Sequence, residues 1–193
     1  MTNPFSLIGK TVIYVIDTIG ALCVLFGRTI KWALRPPFRW REIIVQMESI
    51  GVNSLPIVVL TGIFTGMIFA YQIFNGFQPF GAESMTGFVV TLAMARELAP
   101  VLGSIMVTAR SGSAMAAELG TMKVTEQIDA LHALAVESIQ YLIVPRVVAG
   151  AIVMPILCLV TLVFSMLGSY FVSVIMLGVG SSAYNEPIIT YFK

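Results

Sequence analysis

Long stretches of this chain carry no charge, and that constrains it more than any motif. Residues 49–82, 84–95, 98–109 and 147–185 contain no Asp, Glu, Lys or Arg. Charged residues make up 11% of the whole and hydrophobic ones 58%, where soluble domains carry charge at about a quarter of positions. The mean hydropathy is +0.93. Such a chain cannot cover itself with a hydrated surface, which excludes a soluble enzyme and a disordered segment. A net charge of +1 also excludes a nucleic-acid binder, which needs clustered surplus Lys and Arg. The chain reads as an all-α integral membrane protein.

A membrane-crossing helix needs about 20 apolar residues. The first charge-free block predicts a span at 46–75. The second predicts one at 86–112, with Arg96-Glu97 near its middle. The third block predicts a single long span at 143–177, tilted or bent near Pro155 or Gly168, because its apolar part is too short for two crossings and a turn. Residues 178–193 follow on the other side. The first 36 residues differ. On a helix drawn over 5–36, Lys10, Asp17, Arg28, Lys31 and Arg35 fall within about 60° of one another, and the remaining surface is apolar. One narrow charged ridge on an apolar cylinder predicts a helix lying in the membrane interface. The first 30 residues lack a short apolar core ending in a small-x-small site, so no cleavable signal is expected.

Basic residues in short loops set orientation. Six of the eleven Lys and Arg lie in residues 1–42, whereas 75–86 holds only the acidic Glu83. The N-terminus and the 110–146 loop are therefore expected in the cytoplasm, and 75–86 outside.

Arg96-Glu97 is the sharpest chemical signal. Charges at mid-bilayer cost several kcal/mol unless they are paired or reach water, and adjacent helical residues do not face each other. Each side chain therefore needs a partner or a hydrated cavity beyond its own helix. Small residues at one-turn spacing, Gly62/Gly66, Gly112/Ala116 and Ser113/Ala117, predict close helix packing. In the cytoplasmic region 118–135, Gly120 is expected to end the second span and Thr125 to cap a short helix with Glu126 in its first turn. Ile128, Leu131 and Ala135 would form its apolar stripe, and Glu126 and Asp129 an acidic edge repelled by an anionic leaflet, which favours a protein partner. The lone His132 cannot build a metal site. Cys23 and Cys158 read as small buried hydrophobes, and no metal is expected. Gly9-Lys10-Thr11 ends like a phosphate-binding loop, but Pro4 stands where that loop needs Gly. No catalytic residues are expected, and energy must come from another subunit.

The runs Arg96-Glu97-Leu98-Ala99-Pro100-Val101-Leu102, Ala109-Arg110-Ser111-Gly112-Ser113-Ala114 and Ala117-Glu118-Leu119-Gly120-Thr121-Met122-Lys123-Val124-Thr125-Glu126-Gln127-Ile128-Asp129-Ala130-Leu131 resemble the MlaE (YrbE-type) permease family. Pro145-Arg146 fits as well. The resemblance implies the membrane subunit of an ABC transporter that moves phospholipids between inner and outer membranes and so maintains outer-membrane lipid asymmetry. It implies an inner-membrane homodimer of permeases, a cytoplasmic ATPase of the MlaF type that binds the ATP, a STAS-domain protein of the MlaB type and a periplasmic MCE-domain ring of the MlaD type. The permease itself would hold no cofactor. Lipid would enter a cavity between the two permeases, with Arg96 and Glu97 as polar elements and Phe69, Phe77 and Phe80 as apolar lining. Glu118, Thr125, Glu126, Ile128, Asp129 and Leu131 would belong to a coupling helix that meets the ATPase. The family fold has two more spans, so this chain is expected to be incomplete. An ion or proton channel subunit and a non-transporting scaffold are the rival readings.

Overall fold

The computed structural model describes residues 4–36 and 39–191. Residues 192 and 193 of the expected terminal segment lie outside the described residues. Among the described residues every regular element is helical. Helix α1 spans Pro4–Ala33 and α2 spans Trp40–Phe77. A tight turn at Gln78–Phe80, closed by Gly81 at φ 65°, leads into α3, Glu83–Val124. A short helix α4, Gln127–Ala133, precedes α5, Ile139–Met176. The last helix, α6, covers Ser181–Tyr191.

Four helices, α1, α2, α3 and α5, are long and apolar enough to cross a membrane. The apolar part of the third charge-free block lies in one helix, the 38-residue Ile139–Met176, as its length dictated. Length and apolarity qualify α1 too, so those properties do not separate a span from an interfacial helix. Most of α1 stands clear of the rest. Only its C-terminal part packs, with Thr29 buried and Trp32 and Ala33 half-buried.

The fold is organised around the crossing of α2 and α5. On α2 the buried positions recur every four residues: Ile50, Ser54, Val58, Gly62, Gly66, Ala70 and Phe74. Facing them on α5 are Val153, Leu157, Thr161, Ser165, Gly168 and Ser169. In lipid there is no hydrophobic gain from helix association, so close backbone approach supplies it. A Cβ on Gly62 would lie 3.1 Å from the Thr161 carbonyl oxygen, and one on Gly66 would overlap that of Ser165. The expected role of Gly62 and Gly66 is met. Gly112, Ala116, Ser113 and Ala117, by contrast, are all exposed.

Several polar side chains inside this bundle find partners within it, whereas the buried hydroxyls of Thr86, Thr91 and Ser173 have none among the described residues. Ser54 Oγ meets Ser111 Oγ of α3 at 3.2 Å. Thr161 Oγ1 donates to the Leu157 carbonyl at 2.9 Å, and Ser165 Oγ to that of Leu162 at 2.8 Å. At the end where α2 turns into α3, α6 closes the bundle. Tyr184 is buried, its hydroxyl 2.9 Å from Ser169 Oγ and its ring edge-on to Tyr170 at 5.5 Å. The absence of a side chain at Gly87 lets the Tyr184 backbone sit against α3.

The region after the second span departs from expectation. Gly120 does not end α3, which continues as helix to Val124. Thr125 does not cap α4. Its hydroxyl donates backward to the Thr121 carbonyl at 2.8 Å, so it closes α3 instead. The N-cap of α4 is Glu126, one residue later, and no side chain caps the first turn. The chain reverses at Glu126, which takes a left-handed conformation at φ 57°, as Ala135 does after α4.

Candidate functional site

After a 3-10 turn at Glu83–Met85, helix α3 is α-helical except at two π-turns, Met94–Leu98 and Thr108–Gly112. The first contains Arg96 and Glu97. There the Ala99 N–H donates to the Met94 carbonyl, five residues back. Pro100 has no N–H to offer the carbonyl of residue 96, and a widened turn just before it absorbs the mismatch. Met94 and Ala99 are buried at its two ends, whereas Arg96 and Glu97 are both exposed. The second π-turn acts alike: it points Ser111 inward to Ser54 and leaves Arg110 exposed.

The ion pairs among the described residues are Lys123–Asp129 and Arg146–Glu118, so Arg96 and Glu97 have no ion-pair partner within the described chain. Pro100, Val101, Thr108, Gly112 and Ser113 are exposed along with them. This side of α3 is left open by its own chain. Four concavities on the molecule are lined by neither Arg96 nor Glu97, although one of them, between α3 and α5, is lined by Thr108 and Gly112. One copy therefore presents the charged pair on an open face and does not enclose it.

The three phenylalanines separate. Phe69 is half-buried against the cluster of Ala70, Val90, Met94 and Val172, which places it beside the first residue of the π-turn. Phe77 is half-buried at the end of α2, and Phe80 in the following turn is 81% exposed. Only Phe69 is thus packed at the level of the charged pair.

At the other end of α3, Glu118 accepts a 2.9 Å ion pair from Arg146 Nη2 of α5. Arg146 is buried and also donates from Nη1 to the Leu142 carbonyl at 3.2 Å. Glu42, Gln46 and Tyr141 join the pair around a polar cavity of about 190 Å³. Glu118 is thus tied to α5. Asp129 pairs with Lys123 at 3.3 Å across the reversal, both side chains well exposed. Thr125 and Glu126 are exposed, whereas Ile128 and Leu131 are half-buried against their own chain. The apolar knobs that project are Val124, 84% exposed, and Leu134, 73% exposed. A helical wheel could not find them, because the left-handed residues Glu126 and Ala135 break the helix on both sides of α4. Arg146 did carry a signal: it is the charge that opens the run from 147 to 185.

Residues 43–193 match the family described as Permease MlaE. The chain is 42% identical over its full length to a probable ABC transporter permease protein of Rickettsia bellii, covering 74% of that protein. It is 37% identical over 186 residues to the intermembrane phospholipid transport system permease protein MlaE of Haemophilus influenzae, covering 95% of this chain and 70% of that one. It is 41% identical over 150 residues to the chloroplast protein TRIGALACTOSYLDIACYLGLYCEROL 1 of Arabidopsis thaliana, which covers 78% of this chain and 43% of the plant protein.

Proposed function

The chain belongs to the MlaE permease family, and from that membership we propose that it is the permease subunit of an ABC transporter carrying phospholipid between the inner and outer membranes of a Gram-negative envelope. As a permease it is a multi-pass membrane component and leaves ATP hydrolysis to a partner. The observation that carries the cargo assignment is the π-turn of α3, which displays Arg96 and Glu97 on an otherwise apolar span without an ion-pair partner in their own chain.

A phospholipid needs a polar point for its head group and apolar walls for its acyl chains. Arg96 supplies the charge a phosphate requires, and Glu97 suits a head-group amine or the arginine of a second copy. Two copies facing each other across the open side of α3 would enclose the pair and give it a hydrated cavity. Phe69, at the same level, is the apolar wall residue best supported by its position, and Phe77 and Phe80 belong to the cavity mouth.

The N-terminus is placed in the cytoplasm on the strength of its basic residues, with α1 in the interface so that its charged ridge meets water. The polypeptide reversal from Lys123 to Ala135 then faces the cytoplasm and docks on an ATPase subunit of the MlaF type, accompanied by a STAS-domain protein of the MlaB type. The opposite end, around Gln78–Phe80, faces a periplasmic MCE-domain ring of the MlaD type. The test is lipid transfer by the reconstituted complex, together with ATP hydrolysis stimulated by lipid. Arg96→Ala and Glu97→Gln should reduce transfer several-fold at unchanged yield. Unchanged transfer per folded complex would make the pair structural and overturn the pathway.

A further inference from the structure

The elbow where α1 meets α2 holds a second polar constellation, far in sequence from Arg96. A cavity of about 200 Å³ lies between the end of α1, the start of α2 and the start of α5, lined among others by Trp32, Arg35, Arg39, Trp40, Gln140 and Val144. Arg35 sits over the Trp32 ring at 5.9 Å, and Arg39 over the Tyr141 ring at 4.5 Å. The Nε of Arg39 and the Nε2 of Gln140 are buried N–H donors with no acceptor among the described residues. Buried donors are expensive to leave unmet, and two of them at one cavity call for an acceptor from outside.

The charge is lopsided. Between Asp17 and Glu48 the chain carries Arg28, Lys31, Arg35, Arg39 and Arg41 against the single acid Glu42. Glu42 lines the neighbouring polar cavity with Glu118 and Arg146, and does not line this one. Tryptophans beside arginines at the end of an apolar helix mark the membrane–water boundary, and basic pockets between helices at that boundary suit anionic lipid head groups.

We propose that this elbow binds the phosphate head group of an anionic phospholipid from the surrounding leaflet, as a fixed ligand and not as transported cargo. The cavity is smaller than the roughly 300 Å³ at which drug-sized pockets begin, which fits a head group and excludes a whole lipid. The same two helices, α1 and α5, form a second, more open trough of about 490 Å³, lined by Leu22, Leu25, Phe26, Thr29, Ile143 and Val147. Acyl chains belong on that apolar surface, and it is what distinguishes a lipid from free phosphate as the occupant. The proposal rests on the chain being a membrane protein and not on the transport reading.

The test uses the purified permease complex in nanodiscs of phosphatidylglycerol and phosphatidylethanolamine, with retained lipid counted by native mass spectrometry. Wild type should hold phosphatidylglycerol in preference to phosphatidylethanolamine. Arg35→Gln with Arg39→Gln should weaken that retention about thirty-fold, from about 1 kcal/mol per basic residue. Lys10→Gln, at the far end of α1 and lining neither cavity, should leave it intact, which separates the elbow from the general charge of the helix. Should the Gln pair not purify, Arg35→Lys with Arg39→Lys keeps the charge and should retain the lipid. Equal retention by wild type and the Gln pair, or no preference for phosphatidylglycerol in the Lys pair, would overturn the proposal. Displacement of the lipid by inorganic phosphate would overturn the choice of a lipid over a free anion.

Discussion

Substituting Gly66 by alanine tests the packing logic of the whole molecule, because one methyl group must do opposite things at two glycines. At Gly66 a Cβ would overlap the Ser165 carbonyl oxygen and sit 2.8 Å from Ser165 Cα. Both are backbone atoms, so no rotamer change relieves the overlap and α2 and α5 must part. Gly168 locks the same crossing from the other helix, since its Cβ would overlap the Ile63 carbonyl oxygen. Overpacking a filled interior costs about 1–3 kcal/mol. Better helix propensity returns about 1 kcal/mol. Because the clash is with backbone and has no side-chain relief, the upper part of that range applies, about 2–3 kcal/mol, which leaves a net loss of about 1–2 kcal/mol. At Gly120, also inside a helix, a Cβ would meet nothing within 4 Å, and only the gain of about 1 kcal/mol remains.

The two substitutions should therefore move stability in opposite directions. For a chain of this length 1 kcal/mol corresponds to about 2–4 °C in midpoint. Heating the purified protein in detergent and measuring the surviving monodisperse fraction should show Gly66→Ala lowered by about 2–8 °C and Gly120→Ala raised by about 2–4 °C. Adding Gly168→Ala to Gly66→Ala should cost less than the sum of the two, since both open the same crossing. A Gly66→Ala protein as stable as wild type would refute the close backbone approach and the account of the core built on it.

The buried end of an ion pair is the costly one to strand. Glu118→Gln should destabilise by about 1–3 kcal/mol in the same assay, because Arg146 is left buried beside a neutral amide, while Lys123→Gln should cost under about 1 kcal/mol because both members of that pair are exposed. Leu134→Asp and Val124→Asp should weaken co-purification of the ATPase subunit without lowering permease stability, which thermal midpoint and pull-down together report. Ile128→Asp and Leu131→Asp should weaken it as well but also lower the midpoint by some degrees, because these side chains pack inward. Equal association in all four variants would remove the docking role.

What could be read from the residues divides along a physical line. The long helices α2, α3 and α5 followed from where charge is absent, because charge inside a bilayer is costly, whereas the closing helix α6 carried no such signal. The contact of Gly62 and Gly66 with α5 was legible in their one-turn spacing, although the same spacing at Gly112/Ala116 and Ser113/Ala117 falls on exposed positions. Local features set by competition between neighbouring backbone bonds were not legible. Whether Thr125 bonds forward or backward, and whether Glu126 turns left-handed, are decided by differences of about 1 kcal/mol, and those decided which apolar side chains project from α4.

The π-turn at Arg96-Glu97 belongs to both classes at once. Pro100 lacks the N–H that a regular helix needs four residues after Arg96. Its consequence, a five-residue hydrogen bond that keeps Met94 and Ala99 buried while Arg96 and Glu97 face outward, depends on α3 packing against α2 and α5. A regular α-helix holds adjacent side chains about 100° apart, so turning both charges to the open face while both flanks stay packed is eased by the extra residue in the turn. The irregularity is therefore the means by which one helix serves a packed interior on one side and a polar point on the other. Replacing Pro100 by alanine restores the missing N–H donor, at no cost in side-chain bulk. If the widened turn displays the pair, Pro100→Ala should impair lipid transfer although it removes no charge, and it should raise thermal stability. Transfer equal to wild type in a Pro100→Ala protein would show that the charges alone matter and that the turn is incidental.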